Sequence, residues 1–267
     1  MISSFLINLV SLFQSLPSEI VGGLTFLVCS FVILIAFRYY GALGLFVYNS
    51  IAIIVGNLQV LKAGEFSFFN YPIALGTVVF SSSFLVSDIL TEYYGKDVAK
   101  ASIKLSFFAS LLITILMLLT LGIKPIELIN KDYIHFNKSH EAMVVLFLPI
   151  PTILIASLSA YLVSQYSDVY IFQFFKNFTH GKALWLRASL AFIISASIDN
   201  IVFSTLAWVI LSAHPVAYDT LIYNYILGTF VIRLIVSLAN IAVMYLAKFV
   251  NQSRKNFIDV ALPKFSV

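Results

Sequence analysis

Apolar residues run through this chain in stretches long enough to span a membrane as helices, broken by glycine, proline and charge. Windows of roughly 20 apolar residues, the length a helix needs to cross a bilayer, occur about seven times. They cover Glu19–Phe37, Ala42–Leu61, Pro72–Tyr94, Ala101–Leu121, Ala142–Tyr166, Trp185–Ser212 and Tyr223–Val250. The breakers fall between them: Tyr40-Gly41, Gly64, Tyr71-Pro72, Gly95, Gly122 with Pro125, Gly181 and His214-Pro215. Leu148-Pro149-Ile150-Pro151 lies inside the fifth window and predicts a kink or a short broken turn there. The start, Met1 to Phe13, lacks the basic leader of a cleavable signal and reads as an amphipathic lead-in.

Composition agrees. The 267 residues are 61% hydrophobic and 10% charged, with a mean hydropathy of +0.99, whereas soluble domains run near 25% charged. The expected fold is therefore an all-α polytopic transmembrane helical bundle, with residues 1–267 forming a single integral membrane domain. The net charge of +4 does not point to nucleic acid, because lysine and arginine serve as topology signals in such chains. The single cysteine, Cys29, excludes an intrachain disulfide and reads as a core residue.

Those basic residues set an orientation. Eleven lie at one set of ends: Arg38, Lys96, Lys100, Lys104, Lys176, Lys182, Arg187, Lys248, Arg254, Lys255 and Lys264. Four lie at the other, Lys62, Lys124, Lys131 and Lys138, and Arg233 is left inside a helix. The positive-inside rule puts the eleven on the cytoplasmic side and predicts an N-out, C-in chain.

Ionisable groups within the apolar windows carry the candidate chemistry, since a charge in lipid is unfavourable and such residues face a protein interior or a water-filled cavity. Asp88 and Glu92, one helical turn apart, share a face with Phe80 and Phe84. Asp88 is about 10 Å short of the Gly95 break and reads as a substrate contact. Glu92, four residues before Lys96, reads as an anchor or gate paired with that lysine. Asp199 and Arg233 each lie roughly 21–22 Å in from the basic ends of their helices, which predicts an intramembrane ion pair. Gln165 and Asp168 share a face at the basic end of the fifth window, and Asn57, Asn200 and Asn240 add amides at membrane depth. These groups are expected to converge on a polar pocket. No phosphate- or dinucleotide-binding glycine motif and no His/Cys metal spacing occurs, so neither an enzyme nor a cofactor is expected. His135 and His140 read as a solvated outer patch, and Ser81-Ser82-Ser83 has no histidine at membrane depth to activate it.

The ordered motifs resemble those of a known family. Phe80-x-x-x-Phe84-x-x-x-Asp88-x-x-x-Glu92-x-Tyr94-Gly95-Lys96-x-x-Ala99-Lys100 is similar to the signature of the queuosine precursor transporters, vitamin uptake transporter-like membrane proteins. Further matches follow in order: Ala156 to Phe172 with Tyr161, Gln165 and Asp168; Leu184-Trp185-Leu186-Arg187; Ile194-Ser195; and Asp199-x-Ile-x-Phe203. Arg233 stands where a lysine is usual, and Asn57 with Lys62 matches the amide and base of the early helix.

The resemblance covers roughly residues 42–250 and implies six core helices plus one extra N-terminal helix, with 1–41 as the amphipathic segment and extra span. It implies inner-membrane uptake of 7-deazaguanines, precursors of the tRNA nucleoside queuosine, held by Asn57, Phe80, Phe84, Asp88, Glu92, Gln165, Asp168, Asp199, Asn200 and Arg233. A guanine-like edge offers N–H donors to a carboxylate while the ring stacks on aromatics. Departures fall at Ser81, where a proline is expected, and at Ala188-Ser189, Ala191-Phe192 and Ala196, where polar residues are common. The ligand is thus left open among 7-cyano-7-deazaguanine, its aminomethyl form, queuine or another small heterocycle. A homo-oligomer is also left open. A competing reading is a substrate-binding membrane subunit for another heterocycle or vitamin that needs an energising partner. A third is a scaffold or enzyme whose buried charges are structural.

Overall fold

The structure, a computed structural model, describes residues 2–67, 73–126, 134–148, 150–212 and 215–253. The expectations at Tyr71-Pro72, Lys131, Pro149, His214, Arg254, Lys255 and Lys264 lie outside the described residues. Among the described residues the protein is all-α apart from one short hairpin. Its elements are α1 (Ile2–Gln14), α2 (Ser18–Gln59), β1 (Ala63–Gly64), β2 (Ile73–Ala74), α3 (Thr77–Tyr93), α4 (Lys96–Gly122), α5 (Ile134–Phe147), α6 (Ile150–Phe178), α7 (Leu184–Thr205), α8 (Tyr218–Thr220) and α9 (Gly228–Ser253). A π-helical turn, Leu206–Ile210, extends α7, and a second, Leu221–Leu227, joins α8 to α9. Among the described residues four helical stretches are long and apolar enough to cross a membrane: Ser18–Gln59, Lys96–Gly122, Leu184–Ile210 and Tyr218–Asn251.

The longest of these is two helices. Gly41 sits at φ 62°, ψ −136°, a conformation that residues with a Cβ rarely adopt, and it interrupts α2 where the Tyr40-Gly41 break was expected. The chain reverses there. Cys29 and Tyr48 interact directly, although a straight helix would hold them about 28 Å apart. At the far end the Glu19 carboxylate accepts a hydrogen bond from the Ser67 backbone N–H, beyond the end of the second arm. The arms 18–40 and 42–59 are thus antiparallel neighbours.

The fifth window is where the sequence reading misplaced a helix. The break expected at Leu148-Pro149-Ile150-Pro151 divides two helices, since α5 ends at Phe147 and α6 begins at Ile150, so the single span drawn over Ala142–Tyr166 is not one element. The helix then runs to Phe178 instead of ending near Tyr166. Gln165 and Asp168 therefore lie in its middle, not at its end. α5 itself has no buried residue.

α3 is the axis of the bundle. Residues Ser81 through Thr91 are all buried, and α3 packs against α2, α4, α6, α7 and α9. Small residues on α3 and on the facing α2 permit this close approach: Ser82 Oγ meets Tyr48 Oη at 2.7 Å, and a Cβ on Gly56 of α2 would lie 3.0 Å from the Phe80 ring. The outside is apolar, as with Phe108, Leu112, Leu116 and Leu119 on α4, while polar contacts are internal. Asn49 Nδ2, for example, donates to Ser102 Oγ at 3.1 Å and Tyr161 Oη at 3.3 Å. This is the pattern of a helical bundle in lipid, where amides and hydroxyls join helices.

α6 and α7 form a tight antiparallel hairpin, turned by left-handed His180, Gly181 and Ala183. Ser164 of α6 bonds Asp199 of α7, and Lys176 and Arg187 meet on one carboxylate. The register between those two contacts places Asp168 opposite Ser195. The hairpin thus carries a continuous file of polar groups along the bundle.

Candidate functional site

A cavity of about 410 Å³ opens between the β-hairpin and the ends of α2, α3, α6, α7 and α9. Asp199 and Arg233 line it as an ion pair, Oδ2 to Nη2 at 2.9 Å, in agreement with the predicted depth match. Ser164 Oγ donates to Asp199 Oδ1 at 3.1 Å, and Arg233 Nη1 reaches the Ala196 carbonyl at 3.4 Å. Both side chains are nearly buried, at 14% and 8% exposure, so each needs the other to offset desolvation.

Aromatic surface faces this pair. Trp208 and Tyr225 stack with ring centroids 5.0 Å apart and planes 30° apart, and Phe80 and Phe203 complete the lining. Trp208 lies in the π-helical turn after α7 and Tyr225 in the one before α9. Such turns disturb the regular backbone ladder and often mark functional sites. Here side chains take up neighbouring carbonyls: Asn200 Nδ2 donates to the Ile226 carbonyl at 2.7 Å, and Thr229 Oγ1 to the Tyr225 carbonyl at 2.7 Å. Thr229 Oγ1 also lies 2.9 Å from Asn200 Oδ1, its one proton shared between the two acceptors, so the Asn200 amide staples the last helix in place while lining the cavity.

The remaining candidates lie away from this cavity. Asn57 is buried and accepts a bond from Ser157, itself a lining residue. Phe84 is 2% exposed and packs edge-on against Phe192, with centroids 5.4 Å apart. Gln165 ties α6 to α3: its Nε2 donates to Ser83 Oγ at 2.8 Å and its Oε1 accepts from Ser87 Oγ at 2.5 Å. Asp88 and Asp168 are buried nearer the basic end, at 3% and 0% exposure.

The expected Glu92–Lys96 pair does not form. Gly95, with φ 90°, separates α3 from α4, so Glu92 and Lys96 no longer share one continuous helix. Glu92 Oε1 instead binds Arg187 Nη2 at 2.7 Å, and its Oε2 lies 3.3 Å from Lys176 Nζ. Lys176 also donates to the Glu92 carbonyl at 2.8 Å, and Arg187 Nη1 to the Lys182 carbonyl at 2.8 Å. These bonds lock the basic ends of α3, α6 and α7 together.

Of the ten predicted site residues, the cavity thus gathers Phe80, Asp199, Asn200 and Arg233. Sequence reading missed Trp208, Tyr225, Phe203, Thr229 and Ser204. One signal was available for the first: of the chain's two tryptophans, Trp185 falls at a helix end, and Trp208 falls inside a span. Phe203 and Tyr225 are lost among 25 phenylalanines and 14 tyrosines, and Thr229 and Ser204 are hydroxyls with no motif to single them out.

An apolar-surfaced helical bundle around an internal, ligand-sized cavity with a buried ion pair is the build of a multi-pass membrane transporter for a small molecule. Residues 74–247 match the family described as "Putative vitamin uptake transporter", and the chain belongs to that family of uptake transporters. It is 30% identical over 218 residues to the "Probable queuosine precursor transporter" of Bacillus subtilis (strain 168), a match spanning 81% of this chain and 89% of that relative. No solved structure matches it.

Proposed function

We propose that this protein takes up a 7-deazaguanine precursor of queuosine across the inner membrane and holds it in the cavity between the hairpin and α9. The observation that carries the reading is the Asp199–Arg233 pair beside the stacked Trp208 and Tyr225 in one cavity. A guanine-like edge places N–H donors next to a carbonyl oxygen. Asp199 accepts from the former and Arg233 donates to the latter, as arginine does to guanine O6. The flat ring stacks on the aromatic faces, a contact worth roughly 1–3 kcal/mol per base in nucleic-acid sites. The cavity volume falls in the usual range for small-molecule sites, about 300–1,000 Å³. The named relative in Bacillus supports the same substrate class.

Placing the basic end, with Arg38, Lys96, Lys100, Lys176, Lys182, Arg187 and Lys248, in the cytoplasm orients the chain N-out and opens the cavity to the outer side. The test is uptake of labelled 7-cyano- and 7-aminomethyl-7-deazaguanine and queuine by a strain unable to make queuosine. The wild-type chain is expected to restore queuosine in tRNA, and Asp199→Asn to abolish the rescue. Failure of the wild-type chain with all three bases overturns the substrate assignment.

A further inference from the structure

The mechanism above leaves one buried group of acids unused. Asp88 on α3 and Asp168 on α6 lie between the cavity and the Glu92–Arg187–Lys176 cluster, and their charges interact with each other. Among the described residues, Oδ1 of Asp88 has no hydrogen-bond partner and the Asp168 carboxylate has only the Ser195 hydroxyl within reach, although both acids are at least nine-tenths buried. The hairpin register sets Ser195 opposite Asp168, and its hydroxyl interacts with that carboxylate. In a lipid-embedded bundle, carboxylates this poorly satisfied are costly and mark ion or proton pathways.

The charge count identifies the missing ligand. Asp88, Asp168 and Glu92 bring three carboxylates, against two cations from Arg187 and Lys176. Both cations are held by Glu92, and Arg187 also by the Lys182 carbonyl. One positive charge is lacking, and two like carboxylates in a low-dielectric site cannot both be ionised cheaply. The charges acting on Asp88 come from α3 (Glu92), α6 (Asp168) and α7 (Arg187). α2, α4 and α9 also pack against α3, and among the described residues they bring no comparable charge.

A route connects this group to the cavity. Ser164 and Asp168 are one turn apart on α6, as Ser195 and Asp199 are on α7, and Ser164 already bonds Asp199 at the cavity wall. We propose that Asp88 and Asp168 form a proton-binding site that holds one proton between them and couples its inward passage to uptake. The proton enters from the cavity side past Asp199 and Ser195 and leaves toward the basic end past Glu92. No bond other than O–H is made or broken. The proposal rests on the transporter class and not on the identity of the substrate.

Two measurements decide it. The first needs no substrate: infrared difference spectra of the purified full-length chain at neutral pH, in H2O and D2O. A protonated-carboxyl carbonyl band is expected in the wild type, shifting in D2O and lost in both Asp88→Asn and Asp168→Asn. Its absence from the wild type, or its survival in both variants, overturns the site. The second is accumulation of labelled 7-cyano-7-deazaguanine in proteoliposomes. With one proton per substrate, steady-state accumulation should rise about tenfold per unit of inward pH gradient, fall to equilibration with a protonophore, and be lost in Asp168→Asn while counterflow exchange persists at least in part. Accumulation indifferent to the pH gradient, or following a sodium gradient, overturns the coupling. If no 7-deazaguanine is transported at all, the substrate assignment fails and the infrared result alone decides the proton site.

Discussion

Arg187 Nη2 donates to Glu92 Oε1 at 2.7 Å, joining the start of α7 to the end of α3 at the basic side of the bundle. Arg187 is 1% exposed, and its guanidinium also lies 5.6 Å from the Phe172 ring centroid. Removing one member of a buried pair strands the other charge. Arg187→Ala is therefore expected to cost about 3–5 kcal/mol of stability. Arg187→Lys keeps the charge but loses the fork that reaches both Glu92 and the Lys182 carbonyl, and should cost less. Thermal unfolding of the detergent-purified variants measures both; equal melting temperatures for all three chains would contradict this.

The Asp199–Arg233 pair is expected to serve folding and uptake together. Asp199→Asn and Arg233→Ala should each reduce uptake strongly. The exchanged double variant, Asp199→Arg with Arg233→Asp, should recover membrane expression relative to the single variants, since it restores opposite charges at one depth. Comparing expression and transport of the four chains checks this, and silence of both single variants would refute it.

Stacking on Trp208 separates from packing. Trp208→Ala should weaken base binding by roughly 1–3 kcal/mol, or about 5- to 150-fold in Kd. Tyr225→Phe, which keeps the ring, should change Kd little. Equilibrium binding of a labelled 7-deazaguanine to the purified protein reads both values.

The α2 reversal depends on a residue without a Cβ. At φ 62°, ψ −136°, Gly41→Ala should cost about 1–3 kcal/mol through backbone strain. Gly56→Ala acts differently, because its Cβ would lie 3.0 Å from the Phe80 ring and push that ring toward the cavity. The first variant should lower melting temperature. The second should mainly raise the substrate concentration needed for half-maximal uptake, with expression retained.

Much of the architecture was legible along the chain. Lipid demands unbroken apolar helices, so the apolar windows and the glycine breaks at Gly41 and Gly95 marked elements directly. The Asp199–Arg233 pair could be read from matched depths, because helical rise converts residue number into distance. Pro149 and Pro151 marked the break in the fifth window, but apolar residues on both sides left the extent of each helix unmarked, so the helix after the break was ended too early, near Tyr166 instead of Phe178. The π-helical turns left no pattern either, since Leu206–Ile210 and Leu221–Leu227 are as apolar as the helices they interrupt.

By itself the sequence determined that this is an all-helical membrane protein with acids and a base at depth, because hydropathy and helical rise are properties of one segment at a time. Only the tertiary structure decided which groups meet, Glu92 with Arg187 instead of Lys96 and Trp208 with Tyr225, and buried Asp88 and Asp168 on two helices that pack together. Those contacts depend on where one helix turns relative to another. Side-chain packing and the α6–α7 register set that, and neither can be read from a single helix.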